Sequence, residues 1–140
     1  GVIGRAECVA DYAHHPTEIK AAVAALCGKS ENTLVVFQPH TYSRTENLLS
    51  EFVNVLLPIK NLVILKTYAA RENYSAKGSA KTLAAELVKA GSDAIYVDND
   101  AELFAVVKDK AAKTDKILFI GAGDVYEKAK TLVKNFNKTG

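Results

Sequence analysis

Four short polar segments hold most of the reactive side chains of this 140-residue sequence. They are Asp11-Tyr12-Ala13-His14-His15-Pro16-Thr17-Glu18, Gln38-Pro39-His40-Thr41-Tyr42-Ser43-Arg44, Tyr68-Ala69-Ala70-Arg71-Glu72 and Gly121-Ala122-Gly123-Asp124. Between them they carry all three histidines and two of the three arginines. Asp11 is either a turn residue accepting local backbone hydrogen bonds or a ligand contact. The three histidines can be read as a metal site, but adjacent histidines at a helix start usually diverge, and no cysteine or Glu-x-x-His pattern joins them. Hydrogen bonding by one histidine and capping or packing by the other is the expectation, and no metal site is expected. Arg44 falls at a helix start, where the macrodipole disfavours a cation that lacks a partner. It suits bidentate binding of a carboxylate, the alternative being a surface salt bridge with Glu46 or Glu72. Gly121-Ala122-Gly123-Asp124 lacks the third glycine of a dinucleotide loop and reads as a tight turn with Asp124 as N-cap. No Gly-x-x-x-x-Gly-Lys-Ser/Thr occurs, so the chain has no phosphate-binding loop of its own.

Short apolar runs precede each of these segments. Leu34–Phe37, Leu62–Leu65, Ala94–Val97 and Ile117–Ile120 are nearly continuous in apolar residues, as parallel strands covered on both faces should be. Glu7–Ala10 is a further, shorter candidate. Helical periods lie between them. Pro16 opens a helix with Ile19, Ala22, Val23 and Leu26 on one face, and Gly28 ends it. Thr45–Leu56, Ser79–Ala90, Asp100–Ala111 and Asp124–Phe136 follow. This alternation predicts right-handed βαβ crossovers and one α/β domain over residues 1–140: an open, mostly parallel, Rossmann-like sheet of five or six strands with helices on both faces. In such sheets ligands collect at the carboxyl ends of the strands, where all four polar segments fall.

The charge balance of 18 basic to 16 acidic residues is too even for a nucleic-acid or membrane-surface partner built on bulk charge. No apolar run approaches the ~20 residues that span a bilayer, and no signal peptide opens the chain, so a cytoplasmic location is expected. Cys8 and Cys27 are read as buried thiols, with a disulfide as the alternative.

Taken in order, the four segments resemble the carboxy-terminal domain of the Mur ligases, and their Phe37-Gln38-Pro39-His40 stretch is similar to the branch that joins L-alanine to UDP-N-acetylmuramate. The resemblance runs through essentially the whole chain. It implies an ATP-dependent, amide-forming enzyme of peptidoglycan precursor synthesis with three domains. The first binds the UDP-sugar, the central one carries the phosphate loop and Mg2+ ligands, and the last closes over the site. ATP converts the muramate carboxylate to an acyl phosphate, the amine of L-alanine attacks, and phosphate leaves. By position, the resemblance puts Asp11 near the ATP ribose and Tyr12 on the same nucleotide-side loop. It puts His14, His40 and Arg44 at the amino-acid end, with Arg44 on the alanine carboxylate. Relatives often carry a second arginine where this chain has Thr41, and an acidic residue where it has Ala10.

The sequence has no methionine. With the resemblance, this leads us to expect an excised domain that lacks its amino-terminal and central partners, holds no catalytic residue by itself and has no ligase activity alone. A free-standing nucleotide- or anion-binding α/β module is one rival reading. The related enzyme that recycles murein tripeptide onto the same sugar is another.

Overall fold

The computed structural model describes residues 1–27 and 32–139. A six-stranded sheet runs in the order β1-β2-β6-β3-β4-β5. Its strands are β1 (Val2–Ile3), β2 (Ala6–Asp11), β3 (Thr33–Phe37), β4 (Leu62–Leu65), β5 (Ile95–Val97) and β6 (Lys116–Ile120). All neighbours pair in parallel except β1, a two-residue edge antiparallel to β2. That edge strand has no readable signature, because two residues cannot show a period. The expected α/β class and parallel strands are present, but Ala94–Val97, read as covered on both faces, is the edge strand β5, where Ile95 and Tyr96 are only partly buried.

Burial on both faces explains the continuous apolar runs. Leu34, Val36, Ile117 and Phe119 point into one core, and Val35, Phe37, Leu118 and Ile120 into the other, as successive residues of a strand must. The second core is covered by α1 (Pro16–Cys27), α3 (Leu49–Leu56) and α4 (Ala80–Lys89) through Ile19, Phe52, Leu56, Leu83 and Leu87. The first is covered by α5 (Asp100–Lys110) and α6 (Val125–Thr139) through Leu103, Val107, Ala129 and Leu132. This division follows from the strand order. From β2 to β5 the chain advances across the sheet, whereas from β5 it returns to place β6 between β2 and β3, and right-handed crossovers in opposite directions put their helices on opposite faces.

The expected helix over Asp124–Phe136 runs on to Thr139, and one other expected helix is divided. The helical period of Thr45–Leu56 is carried by two helices, α2 (Tyr42–Asn47) and α3, separated at Leu48, whose φ of −117° leaves the helical region. The Thr45 hydroxyl donates to the carbonyl of Thr41 at 3.1 Å, a back-bond of the kind that bends helices, and the apolar pattern passes through the break unchanged. Gly28, the expected stop of α1, and the side chain of Cys27 lie outside the described residues; Cys8 is a half-buried free thiol whose pKa burial raises. Among the described residues no helix is long and apolar enough to cross a membrane.

Candidate functional site

The carboxyl ends of β2, β6, β3 and β4 are neighbours, so the sheet brings the four polar segments side by side in that order. Backbone hydrogen bonds continue past the strands and lace the segments together. Gly121 N–H donates to the Asp11 carbonyl (3.1 Å), Gln38 N–H to the Ile120 carbonyl (2.9 Å), Tyr68 N–H to the Pro39 carbonyl (2.9 Å) and Thr41 N–H to the Tyr68 carbonyl (2.8 Å). The result is a fixed floor from which side chains project.

At the β2 end, one carboxylate oxygen of Asp11 accepts the N–H of Ala13 at 2.9 Å, an Asx turn. Its other oxygen makes no hydrogen bond among the described residues. Asp11 is therefore the turn residue of one expectation and still has a lone acceptor for the other. Tyr12 is 70% exposed. Both line a cleft of 540 Å³ with His14, Glu18 and Ala22. The start of α1 is capped by Glu18, which accepts the N–H groups of His14 (3.3 Å) and His15 (3.0 Å). Those two bonds hold its carboxyl below the usual carboxylate range.

The two inner histidines are set in complementary states. Nδ1 of His14 lies 3.0 Å from the Tyr12 carbonyl, which can only accept, so this nitrogen carries the proton and Nε2 of the neutral ring is an acceptor. Nδ1 of His40 lies 2.9 Å from Nη1 of Arg44, which can only donate, so neutral His40 carries its proton on Nε2 and is a donor there. The rings are 6.0 Å apart. His40 also stacks on Tyr68, with centroids 5.6 Å apart and planes inclined by 19°. His15 is exposed and contributes its N–H to the helix cap.

Arg44 sits in the first turn of α2. Its Nη1 donates to Nδ1 and, at 3.3 Å, to the carbonyl of His40. Among the described residues no carboxylate pairs with it, so the salt bridge to Glu46 or Glu72 does not form; Glu72 is engaged elsewhere. The guanidinium edge made by Nε and Nη2 makes no hydrogen bond there either, and that is the edge that can grip a carboxylate in two parallel bonds. Thr41 caps α2, taking the Arg44 N–H on its hydroxyl at 3.4 Å, at a φ of 66° that a β-branched residue rarely adopts.

Two neighbours within the motifs, Gln38 and Gly123, have no part assigned from the sequence, and Asp124 has only that of an N-cap. Gln38 is 2% exposed, and its amide donates to Asp124 at 2.5 Å while its Oε1 is buried without a partner. Asp124 accepts the Lys128 N–H on its carbonyl, as an N-cap does, but its carboxylate serves Gln38. Gly123 is required by close approach, since a Cβ there would come within 2.4 Å of Cγ of Tyr68 and 2.8 Å of Oε1 of Gln38. Among the described residues no group of three His, Cys, Asp or Glu side chains could hold a metal ion.

Charge at this site changes with pH. Burial, then Arg44 and His14, push the pKa of His40 below its ordinary value. A folded-state pKa below the unfolded one means that the unfolded chain binds the proton more tightly, so stability falls as pH drops through and below the ordinary histidine range. Glu18 and Glu72, also lowered, act with the same sign further down, below the usual carboxylate range. We expect the melting temperature to decline between pH 7 and pH 5, and to decline less in His40→Gln. An unchanged pH slope in that variant removes His40 as the cause.

The arrangement thus presents one open Asp11 oxygen and an exposed Tyr12 at the end of β2, and the open edge of the Arg44 guanidinium beside His40 and His14 past the end of β3. The model of the "Mur ligase, glutamate ligase domain" matches residues 2–123. The chain belongs to the Mur ligase family, as its C-terminal domain. Among its relatives are the UDP-N-acetylmuramate–L-alanine ligases of Acetivibrio thermocellus, 38% identical over 96% of this chain, and of Aquifex aeolicus, 40% identical over 91%. The chain spans 29% and 27% of their lengths. The crystal structure of the UDP-N-acetylmuramate–alanine ligase MurC of Thermotoga maritima superposes with a TM-score of 0.70 at 24% identity, covering 95% of this chain and 27% of that one. A domain crystallised from Haemophilus ducreyi superposes with a TM-score of 0.65 at 21% identity, and 95% of it is covered. These two likenesses concern the fold.

Proposed function

We propose that this domain forms the nucleotide- and amino-acid-facing wall of an ATP-dependent UDP-N-acetylmuramate–L-alanine ligase. The observation that carries the reading is Arg44: a cation aimed by His40, unpaired with any carboxylate among the described residues, on the same sheet edge as Asp11. The names of its relatives supply the substrates.

In that reaction the muramate carboxylate takes the terminal phosphoryl group of ATP, and ADP leaves. The nitrogen of L-alanine forms a bond to the acyl carbon, a tetrahedral oxyanion forms, and the carbon–oxygen bond to phosphate breaks to leave the amide. The free edge of Arg44 holds the alanine carboxylate and so orients the amine. Charge-assisted pairs of this kind are short and directional. Nε2–H of His40 is a donor for an anionic oxygen of the crowded intermediate, and Nε2 of His14 is an acceptor for an ammonium or amine hydrogen. The free oxygen of Asp11 is an acceptor for a ribose hydroxyl, with Tyr12 beside it. Thr41 leaves Arg44 as the single arginine of this segment, so the histidines complete the anion site.

The phosphate loop, the Mg2+ ligands and the UDP-sugar site belong to two further domains of the longer enzyme, which works in the cytoplasm where ATP and the UDP-sugar are found. The cation, when bound there, neutralises the phosphates. The present residues bind, orient and exclude water once the domain closes. Phosphate release in the presence of ATP, L-alanine and UDP-N-acetylmuramate tests the division of labour. The isolated domain should give no turnover above background, and the full-length ligase should; turnover by the domain alone refutes the assignment.

A further inference from the structure

Helix α2 is six residues long, too short to hold itself by its own backbone bonds, yet it carries the arginine on which the proposed site depends. Its first turn is tied down from outside. One carboxylate oxygen of Glu72, from the loop after β4, accepts the N–H of Tyr42 at 2.7 Å and the N–H of Ser43 at 3.0 Å. The other accepts the Ser43 hydroxyl. Thr41 takes the next N–H, that of Arg44. A single carboxylate, about 30 residues away in sequence, therefore takes the first two N–H groups of this helix and a side-chain hydroxyl beside them. A negative charge is also the right one for that end.

The loop goes to some length to present it. Ala70 and Arg71 both have left-handed backbone conformations, with φ of 50° and 76°, and the turn is closed by Glu72 N–H on the Ala69 carbonyl at 3.0 Å. Non-glycine residues adopt such angles only where the surrounding contacts over-determine them. The same loop supplies Tyr68, which stacks on His40, so both ends of the His40–Arg44 pair rest on it. The bonds from Ser43 and Tyr42 hold the Glu72 carboxyl below the usual carboxylate range, which keeps it charged at neutral pH.

We infer that Glu72 is a positioning residue: by clamping the first turn of α2 it holds the Arg44 guanidinium against His40, in the orientation that leaves its other edge open to an anion. The consequence for catalysis rests on the role proposed for Arg44; the clamp itself does not.

The test separates the two. His40 is titrated by NMR in this chain, unaltered and as Glu72→Ala. The positive charge of Arg44 lowers the His40 pKa, and the negative charge of Glu72 raises it. If Glu72 positions Arg44, its removal frees the guanidinium and the His40 pKa rises, because Arg44 outweighs Glu72 among the charges that act on it. If Glu72 acts on His40 only as a charge, its removal makes the pKa fall further, and the clamp is overturned. Glu72→Asp keeps the charge but is one methylene too short to reach all three donors, so it decides the matter if Glu72→Ala does not fold. The clamp predicts a rise there too, and no change overturns it. In the full-length ligase Glu72→Ala should then raise KM for L-alanine several-fold with KM for ATP unmoved. A His40 shift without that change in KM keeps the clamp and removes alanine binding from Arg44.

Discussion

Arg44→Ala in the full-length ligase should raise KM for L-alanine by about 10-fold or more and leave KM for ATP nearly unchanged. The size follows from the bond being lost. A charge-assisted hydrogen bond contributes roughly 1.5–3 kcal/mol, and each ~1.4 kcal/mol is a factor of ten. The selectivity follows from place. Arg44 lies in the first turn of α2, beyond the end of β3, while Asp11 ends β2 and Tyr12 follows it, with β6 between the two strands. Arg44→Lys should recover part of the loss, because it restores the charge but not the two parallel donors. Steady-state kinetics with each substrate varied in turn gives the answer. A variant that loses ATP affinity and keeps alanine affinity places Arg44 on the wrong ligand.

The second large effect is expected at a glycine outside the proposed site. Gly78 ends a short 3-10 turn, Ala76–Gly78, that packs on the start of α2. A Cβ at this position would lie 2.0 Å from the carbonyl oxygen of Tyr42 and 2.7 Å from its carbonyl carbon. Both are backbone atoms, so no rotamer change can relieve the contact. Gly78→Ala should cost about 3 kcal/mol, the upper part of the overpacking range, and lower Tm by about 10 °C. Because the atom displaced is at the residue where Glu72 also binds, the same variant should raise KM for L-alanine. Thermal unfolding of the domain and kinetics of the full-length enzyme measure the two parts. A Tm within 2–3 °C of the original would mean that the 3-10 turn moves freely, and the rigid view of this corner would be wrong.

Residue types and local periods determine a good deal of this protein. Leu34–Phe37, Leu62–Leu65 and Ile117–Ile120 are legible as strands because a strand buried on both faces needs apolar residues at every position, and that is visible in four or five letters. Asp11, His14, His40 and Arg44 are legible as site candidates because each follows such a run, and parallel strands present their carboxyl ends on one edge. The edge strand Val2–Ile3 and the break at Leu48 are not legible. The first is shorter than any period, and the second preserves the apolar pattern while changing the backbone.

What the tertiary structure alone decides is which of these loops meet. Nothing local says that the last long strand enters between the first and second, yet that insertion sets Gly121–Asp124 against Gln38 and the Asp11 carbonyl. Gln38 and Asp124 are 86 residues apart, and Glu72 is 30 residues from the N–H it caps. Their pairing depends on strand order, a property of the whole sheet's packing that no short window of sequence contains. Glu72 thus reads, in one dimension, as a carboxylate available to Arg44. In three dimensions it is spent on the backbone of α2, and Arg44 turns to His40 instead, leaving an open edge for an anion.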